Sequence, residues 1–213
     1  MFKKIATAIS NSCDKHGFDL SEAEIDLIAK DLSRSGLFGN ATMVDEVEQG
    51  EVFRWGEKEY IKLDTIAEGC LCLAKDVWFQ SRFDDETNNW NISQLRGNLG
   101  IKAKEFIPDT DKLMLFDRDL TTDDGLTDYG HCCNSISMLS CDEYRKYRKF
   151  ITTTDEWYWT ITAQTVYRRF VRSVSSDGSM CINCTYYGDG GVRPLICLNK
   201  ETLVEVQNGE DKG

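Results

Sequence analysis

The stretch Arg169-Phe170-Val171-Arg172-Ser173-Val174-Ser175-Ser176-Asp177-Gly178-Ser179-Met180, continued by Gly191-Val192-Arg193-Pro194-Leu195-Ile196-Cys197-Leu198, decides the fold. Alternating residues flank Asp177-Gly178, a pair that supplies the positive φ angles of a tight turn, so the segment reads as a β-hairpin. Gly190-Gly191 then turns the chain into a final strand. There Arg193 precedes a proline, whose missing N–H belongs at the start or edge of a strand. The pattern specifies a fold far better than it specifies a chemistry.

Upstream, Glu51 to Trp55 and Lys58 to Leu63 read as a second hairpin around Gly56-Glu57, followed by a buried strand at Cys70-Leu71-Cys72-Leu73. Asn91 to Leu99 reads as a short helix with Ile92, Leu95 and Leu99 inward. Ser140 and Glu143 form a capping box that starts another helix, with Tyr144 and Tyr147 on one side and Arg145, Lys146, Arg148 and Lys149 displayed. At the other end of the chain, Phe2, Ile5, Ala6, Ile9 and Cys13 fall at helical spacing as far as Gly17. Ser21 and Glu24 make a capping box, with Leu20 and Ile25 as its hydrophobic staple. The helix that follows carries Ile25, Ile28, Ala29 and Leu32 on one face and stops before Gly36. Residues 37–50 read as an acidic linker. The expected organisation is therefore an N-terminal helical hairpin at 1–40 followed by a domain at 41–213.

Composition narrows the function classes. The 213 residues are 41% hydrophobic and 11% aromatic, enough for a sizeable core. No apolar run reaches the length of a membrane span. Met1-Phe2-Lys3-Lys4-Ile5-Ala6 starts like a signal peptide, but Asn11, Ser12 and Asp14 interrupt it and no cleavage site follows, so a cytoplasmic protein is expected. The nine cysteines are an odd number and read as reduced, core-filling thiols. A net charge of −11 argues against direct nucleic-acid binding, which needs a basic face, and suits a basic protein partner. The second N-terminal helix, rich in Glu and Asp, has the wrong sign for a recognition helix.

Three kinds of chemistry are weighed against the residues. Cys181-Ile182-Asn183-Cys184 and His131-Cys132-Cys133 contain zinc-ligand types, but positions three apart in a strand face opposite sides, so no metal is expected there. The run from Asp117 to Asp128 is rich in hard oxygen ligands, yet Thr122 stands where an EF-hand loop has glycine and Asp128 where it has glutamate. With two histidines, no phosphate loop and no nucleophile elbow, neither an enzyme nor a cofactor is expected. Among the aromatics, Trp157 and Trp159 share one face of a strand, the core face, and Tyr158 is expected to point outward. Tyr158, Tyr186 and Tyr187 are then candidate binding anchors.

The ordered set Phe83-Asp84-Asp85-Glu86-Thr87-Asn88-Asn89-Trp90, Asp124-Gly125-Leu126, Asp128-Tyr129-Gly130, Ile136 to Arg148, Trp157-Tyr158-Trp159-Thr160, Ser176-Asp177-Gly178-Ser179 and Gly191-Val192-Arg193-Pro194 resembles an uncharacterised domain family. That family occurs in phages, prophages and surface proteins of Gram-positive bacteria. The resemblance, over residues 48–206, implies a compact, mostly antiparallel α+β domain with short helices. Its ending is similar to that of C-type-lectin-like folds. The expectation that follows is a non-enzymatic phage-type binding protein. It would act in the host cytoplasm as an acidic inhibitor of a nucleic-acid-binding host enzyme, in the manner of anti-CRISPR proteins. The partner-binding acids would be Asp84, Asp85, Glu86, Asp117, Asp119, Asp123 and Asp124. The alternative is lectin-like recognition of carbohydrate or a cell surface.

Overall fold

The computed structural model describes residues 2–34 and 41–206. Helix α1, Phe2–His16, stops at Gly17, whose φ of +72° suits a residue without a side chain. Helix α2, Glu22–Arg34, begins under the expected capping box: Ser21 N–H donates to the Glu24 carboxylate at 2.9 Å, and Glu24 N–H to Ser21 Oγ at 3.4 Å. Cys13, Ile25 and Ala29 are buried, whereas Ile28, expected on the same inward face, is 39% exposed. The side chains of Phe2, Ile5 and Leu32, the stop before Gly36 and residues 37–40 lie outside the described residues. Side chains of α1 reach later parts of the chain. Lys15 Nζ lies 2.5 Å from Asp111, and Asn11 donates to Glu201 at 3.2 Å.

The linker reading of residues 41–50 needs correction. Strand β1, Ala41–Met43, pairs antiparallel with β14, Leu203–Val206, with Ala41 opposite Glu205. Val44 and Val47 follow, 0% and 3% exposed, so two apolar anchors hold an otherwise acidic segment in the core.

The chain is an α+β fold built on sheets. The expected hairpin forms from β2, Val52–Trp55, and β3, Lys58–Thr65, with Gly56 at φ +65° in the two-residue turn. Next to β3 lies β4, Cys70–Ala74. With β8, Ile136–Ser137, and β13, Leu195–Leu198, these strands complete a seven-stranded antiparallel sheet in the order β1-β14-β2-β3-β4-β13-β8. Both faces of it are covered, which explains the unbroken apolar run of β4. Cys70, Cys72 and Ala74 share one core with Leu95, Leu99 and Ala103 of helix α3, Gln94–Phe106. Leu71 and Leu73 share a second core with Tyr144 and Tyr147 of helix α4, Cys141–Tyr147. The capping box of α4 is present as expected. Ile92, expected to point inward, is 69% exposed, because the chain makes a separate short turn at Trp90–Ile92 before α3 begins.

Strands β5, Phe79–Gln80, β9, Tyr158–Ala163, β10, Phe170–Val174, β11, Met180–Cys184, and β12, Gly191–Val192, form a second sheet. Its order is β11-β10-β9-β12-β5, antiparallel except for the β9–β12 pair. The hairpin read from the sequence is β10–β11, with Val174 opposite Met180. Its turn differs in one respect. Only Gly178 takes a positive φ, +82°, and Gly178 N–H donates to Ser175 O, so the connection is longer than a two-residue turn. Tyr144 Oη donates to Gly178 O at 2.6 Å and clamps the turn to α4. The expected final strand is really two. Gly191-Val192 belongs to the five-stranded sheet, and after Arg193-Pro194 the chain continues as β13 in the seven-stranded one. A third ribbon joins β6, Phe116–Asp119, to β7, His131–Asn134.

Candidate functional site

Strand alternation positions the acids of β6. Phe116 and Arg118 are buried, while Asp117 and Asp119 face solvent. Arg118, 3% exposed, reaches inward to donate to Ser137 Oγ at 3.2 Å and Met138 O at 2.9 Å, and it grips the Glu143 carboxylate with both terminal nitrogens. That pair fastens the N-terminus of α4 beside β6. Asp142 and Glu143 thereby join Asp117 and Asp119 around a groove of about 240 Å³. Asp117 bonds His131 Nδ1 at 2.7 Å, and this bond raises the imidazole pKa above its ordinary value. Asp119 accepts from Thr121 Oγ1 at 2.6 Å and Thr121 N–H at 2.9 Å, which holds its carboxyl below the usual range. Glu143 is bound to buried Arg118, while the exposed carboxylates of the groove are Asp142, paired with Arg145 at 2.5 Å, Asp117, paired with His131, and Asp119, which has no ion-pair partner among the described residues.

The other acids singled out from the sequence are placed elsewhere. Asp84, 5% exposed, is a correction: it accepts from the N–H groups of Glu86, Thr87 and Gln94, shaping the turn that starts α3. Asp85 pairs with Arg82 at 2.5 Å and Glu86 with Arg169 at 3.0 Å, both on the surface. Asp123, 9% exposed in its side chain, is bound to Arg172 at 2.8 Å. Asp124 accepts from Thr122 and Thr165, and the Thr165 bond lowers its pKa.

The tyrosines divide. Tyr158 is 2% exposed, against the expectation that it points outward, because the five-stranded sheet is buried on this face too, against Leu139, Tyr144 and Ile151. Tyr186 and Tyr187 are exposed and stack edge to face, their ring centroids 5.3 Å apart. Trp159 is fully buried, and Trp157 is half-buried. The thiols of the Cys181–Cys184 segment lie along β11, Cys181 opposite Ser173 and Cys184 opposite Phe170, while Cys132 and Cys133 sit in the separate β6–β7 ribbon.

One feature escaped the sequence reading. A cleft of about 600 Å³ crosses the end of the five-stranded sheet where β9, β11 and β12 begin and β10 ends. Asp155, Glu156, Trp157 and Asp189 line it together with Gln80 and Asn183. Its signal in the sequence is the pair of acids directly before Trp157, which the reading of that tryptophan as core set aside.

The chain belongs to the family described as Domain of unknown function (DUF6273), whose model matches residues 6–200. No curated protein and no solved structure matches the chain. No helix among the described residues is long and apolar enough to cross a membrane.

Proposed function

We propose that this DUF6273 chain is a non-enzymatic binding protein that engages a basic protein partner through its acidic surface. The observation that carries the reading is the gathering of exposed Asp117, Asp119 and Asp142 at one groove, on a chain of net charge −11. The surface pairs Asp142–Arg145 and Asp117–His131 are solvent-exposed and cost little to exchange, so a partner's lysines and arginines can engage these carboxylates together with Asp119. In the same reading the chain is of phage or prophage origin and acts in the host cytoplasm. The partner is a nucleic-acid-binding host enzyme whose basic groove the acids occupy.

The test is affinity capture from a host lysate at low salt and again at high salt. Association rates of the recovered partner are then measured against the parent and Asp117→Asn/Asp119→Asn/Asp142→Asn. Exposed charges are screened over about 8 Å at physiological ionic strength. The expected result is an association rate that falls with salt and with the substitutions, far more than the loss of the exposed Asp117–His131 bond lowers the melting temperature. A partner that binds the triple variant at the parental rate overturns the reading.

A further inference from the structure

We infer that the cleft at the end of the five-stranded sheet receives the cationic side chain of an extended basic segment. This rests on the reading of a basic partner and names the contact that the groove beside β6 does not supply. Asp155, Glu156 and Asp189 contribute three carboxylates to the cleft, and no lysine or arginine lines it. The β6 groove differs: there Arg118 and His131 stand among the acids. Glu156 accepts from Gln80 Nε2 at 2.9 Å, and Asp155 and Asp189 have no hydrogen-bond or ion-pair partner among the described residues. The charge of the cleft is therefore uncompensated among the described residues.

Trp157 supplies the second element. The face of an indole ring attracts an ammonium or guanidinium group. The ring is held firmly, packed edge to face on Trp159 with centroids 4.7 Å apart, while Trp159 Nε1 donates to Ser81 O at 2.8 Å. Asn183 donates its Nδ2 to Ser173 Oγ at 2.9 Å, which leaves its carbonyl oxygen as a further acceptor at the cleft. A lysine or arginine gains from the carboxylates and from the ring together. A neutral saccharide can stack on the ring but leaves the three carboxylates uncompensated, and an anion is repelled.

The third element is the sheet edge. β11 is the last strand in the order β11-β10-β9-β12-β5, and Cys181, Ile182 and Asn183 from it line the cleft. An extended peptide can add its backbone to such an edge while one side chain reaches across the sheet end.

The experiment titrates the isotopically labelled chain with a blocked five-residue peptide carrying a central arginine. A second peptide carries citrulline, the neutral isostere, in its place, and cellotriose serves as a neutral saccharide. The readout is the Trp157 indole N–H resonance, identified by its loss in Trp157→Phe. The arginine peptide is expected to shift it and the citrulline peptide to leave it in place. Asp155→Asn/Asp189→Asn should weaken binding roughly tenfold, the product of two exposed charge contacts, with an unchanged melting temperature. Equal binding of the citrulline peptide, a Trp157 shift with cellotriose alone, or parental affinity in Asp155→Asn/Asp189→Asn each overturns the inference. Arginine-peptide binding lost only in Asp117→Asn/Asp119→Asn also overturns it and leaves the basic-partner reading standing. Salt-independent binding, insensitive to both double variants, removes both.

Discussion

Arg193 lies across the face of Tyr158, its guanidinium carbon 5.1 Å from the ring centroid and its Nη1 3.3 Å from the phenol oxygen. Both residues are buried. The remaining guanidinium bonds go to Ala74 O, Lys75 O, Thr152 O and Thr152 Oγ1. A planar fork of donors thus joins β4, the segment before β9 and the crossing between the two sheets, and none of its partners is a carboxylate. Burial lowers the arginine pKa, although arginine stays protonated, and pushes the Tyr158 phenol up to about 12.

Arg193→Met is expected to destabilise the fold by about 3–5 kcal/mol, because it strands several buried carbonyls at once. Arg193→Lys keeps the charge without the fork and should fall between Met and the parent. Tyr158→Phe removes one acceptor and should cost only about 1 kcal/mol. Urea denaturation of the three variants measures the order. An Arg193→Met protein as stable as Tyr158→Phe would mean that the fork does not hold the sheets together.

Gly190 is required by close approach. A Cβ built there would stand 2.0 Å from Trp159 Nε1 and 2.8 Å from the Trp157 ring. Gly190→Ala should therefore cost about 1–3 kcal/mol, the usual range for overpacking. Gly188, two residues earlier, has open space around its Cβ position, so Gly188→Ala is the matched control and should melt with the parent. Equal melting temperatures for the two variants would show that the tryptophans move aside freely.

The His131–Asp117 pair gives a pH signature. The bond to Asp117 raises the imidazole pKa above 6.5, so the folded state binds the proton more tightly than the unfolded chain does. The pair's contribution to stability is fully present below pH 6.5 and disappears as pH rises through the folded-state midpoint. An NMR titration should place the His131 midpoint above 6.5, and Asp117→Asn should lower it, because the largest cause of the upward shift is then gone. A midpoint that does not respond to the substitution would show that the two side chains are not bonded in solution.

Local signals were readable and long-range ones were not. Gly56 and Gly178 marked their hairpins because a positive φ leaves a trace in one residue. Ser21–Glu24 and Ser140–Glu143 marked two helix starts because a capping box spans only four positions. Phe116 to Asp119 was read only as part of an oxygen-rich run, although its period-two alternation, which turns Asp117 and Asp119 outward in β6, was there to be read. Alternation assigns faces but does not reveal that both are covered, which is why Tyr158 was misjudged. Asp142 meets β6 only because Arg118 grips Glu143 across 25 residues of chain. Asn88 is a similar case. Fully buried, it donates to the carbonyls of Gln164, Tyr167 and Phe170 and accepts from Tyr129, a set of partners scattered along the sequence.

The pairing of β1 with β14 sets how the β body responds to force. Ala41 lies opposite Glu205, so the chain enters and leaves this body at neighbouring points on one sheet edge. Tension applied at residues 41 and 206 would act across the rungs of that ladder rather than along the strands. Hydrogen bonds loaded in this direction open in succession, each bearing the full pull in turn, whereas sheared strands share the load among all of their bonds. β1 should therefore peel away at low force, while the interior strands β4 and β13 remain unloaded until the edge has opened.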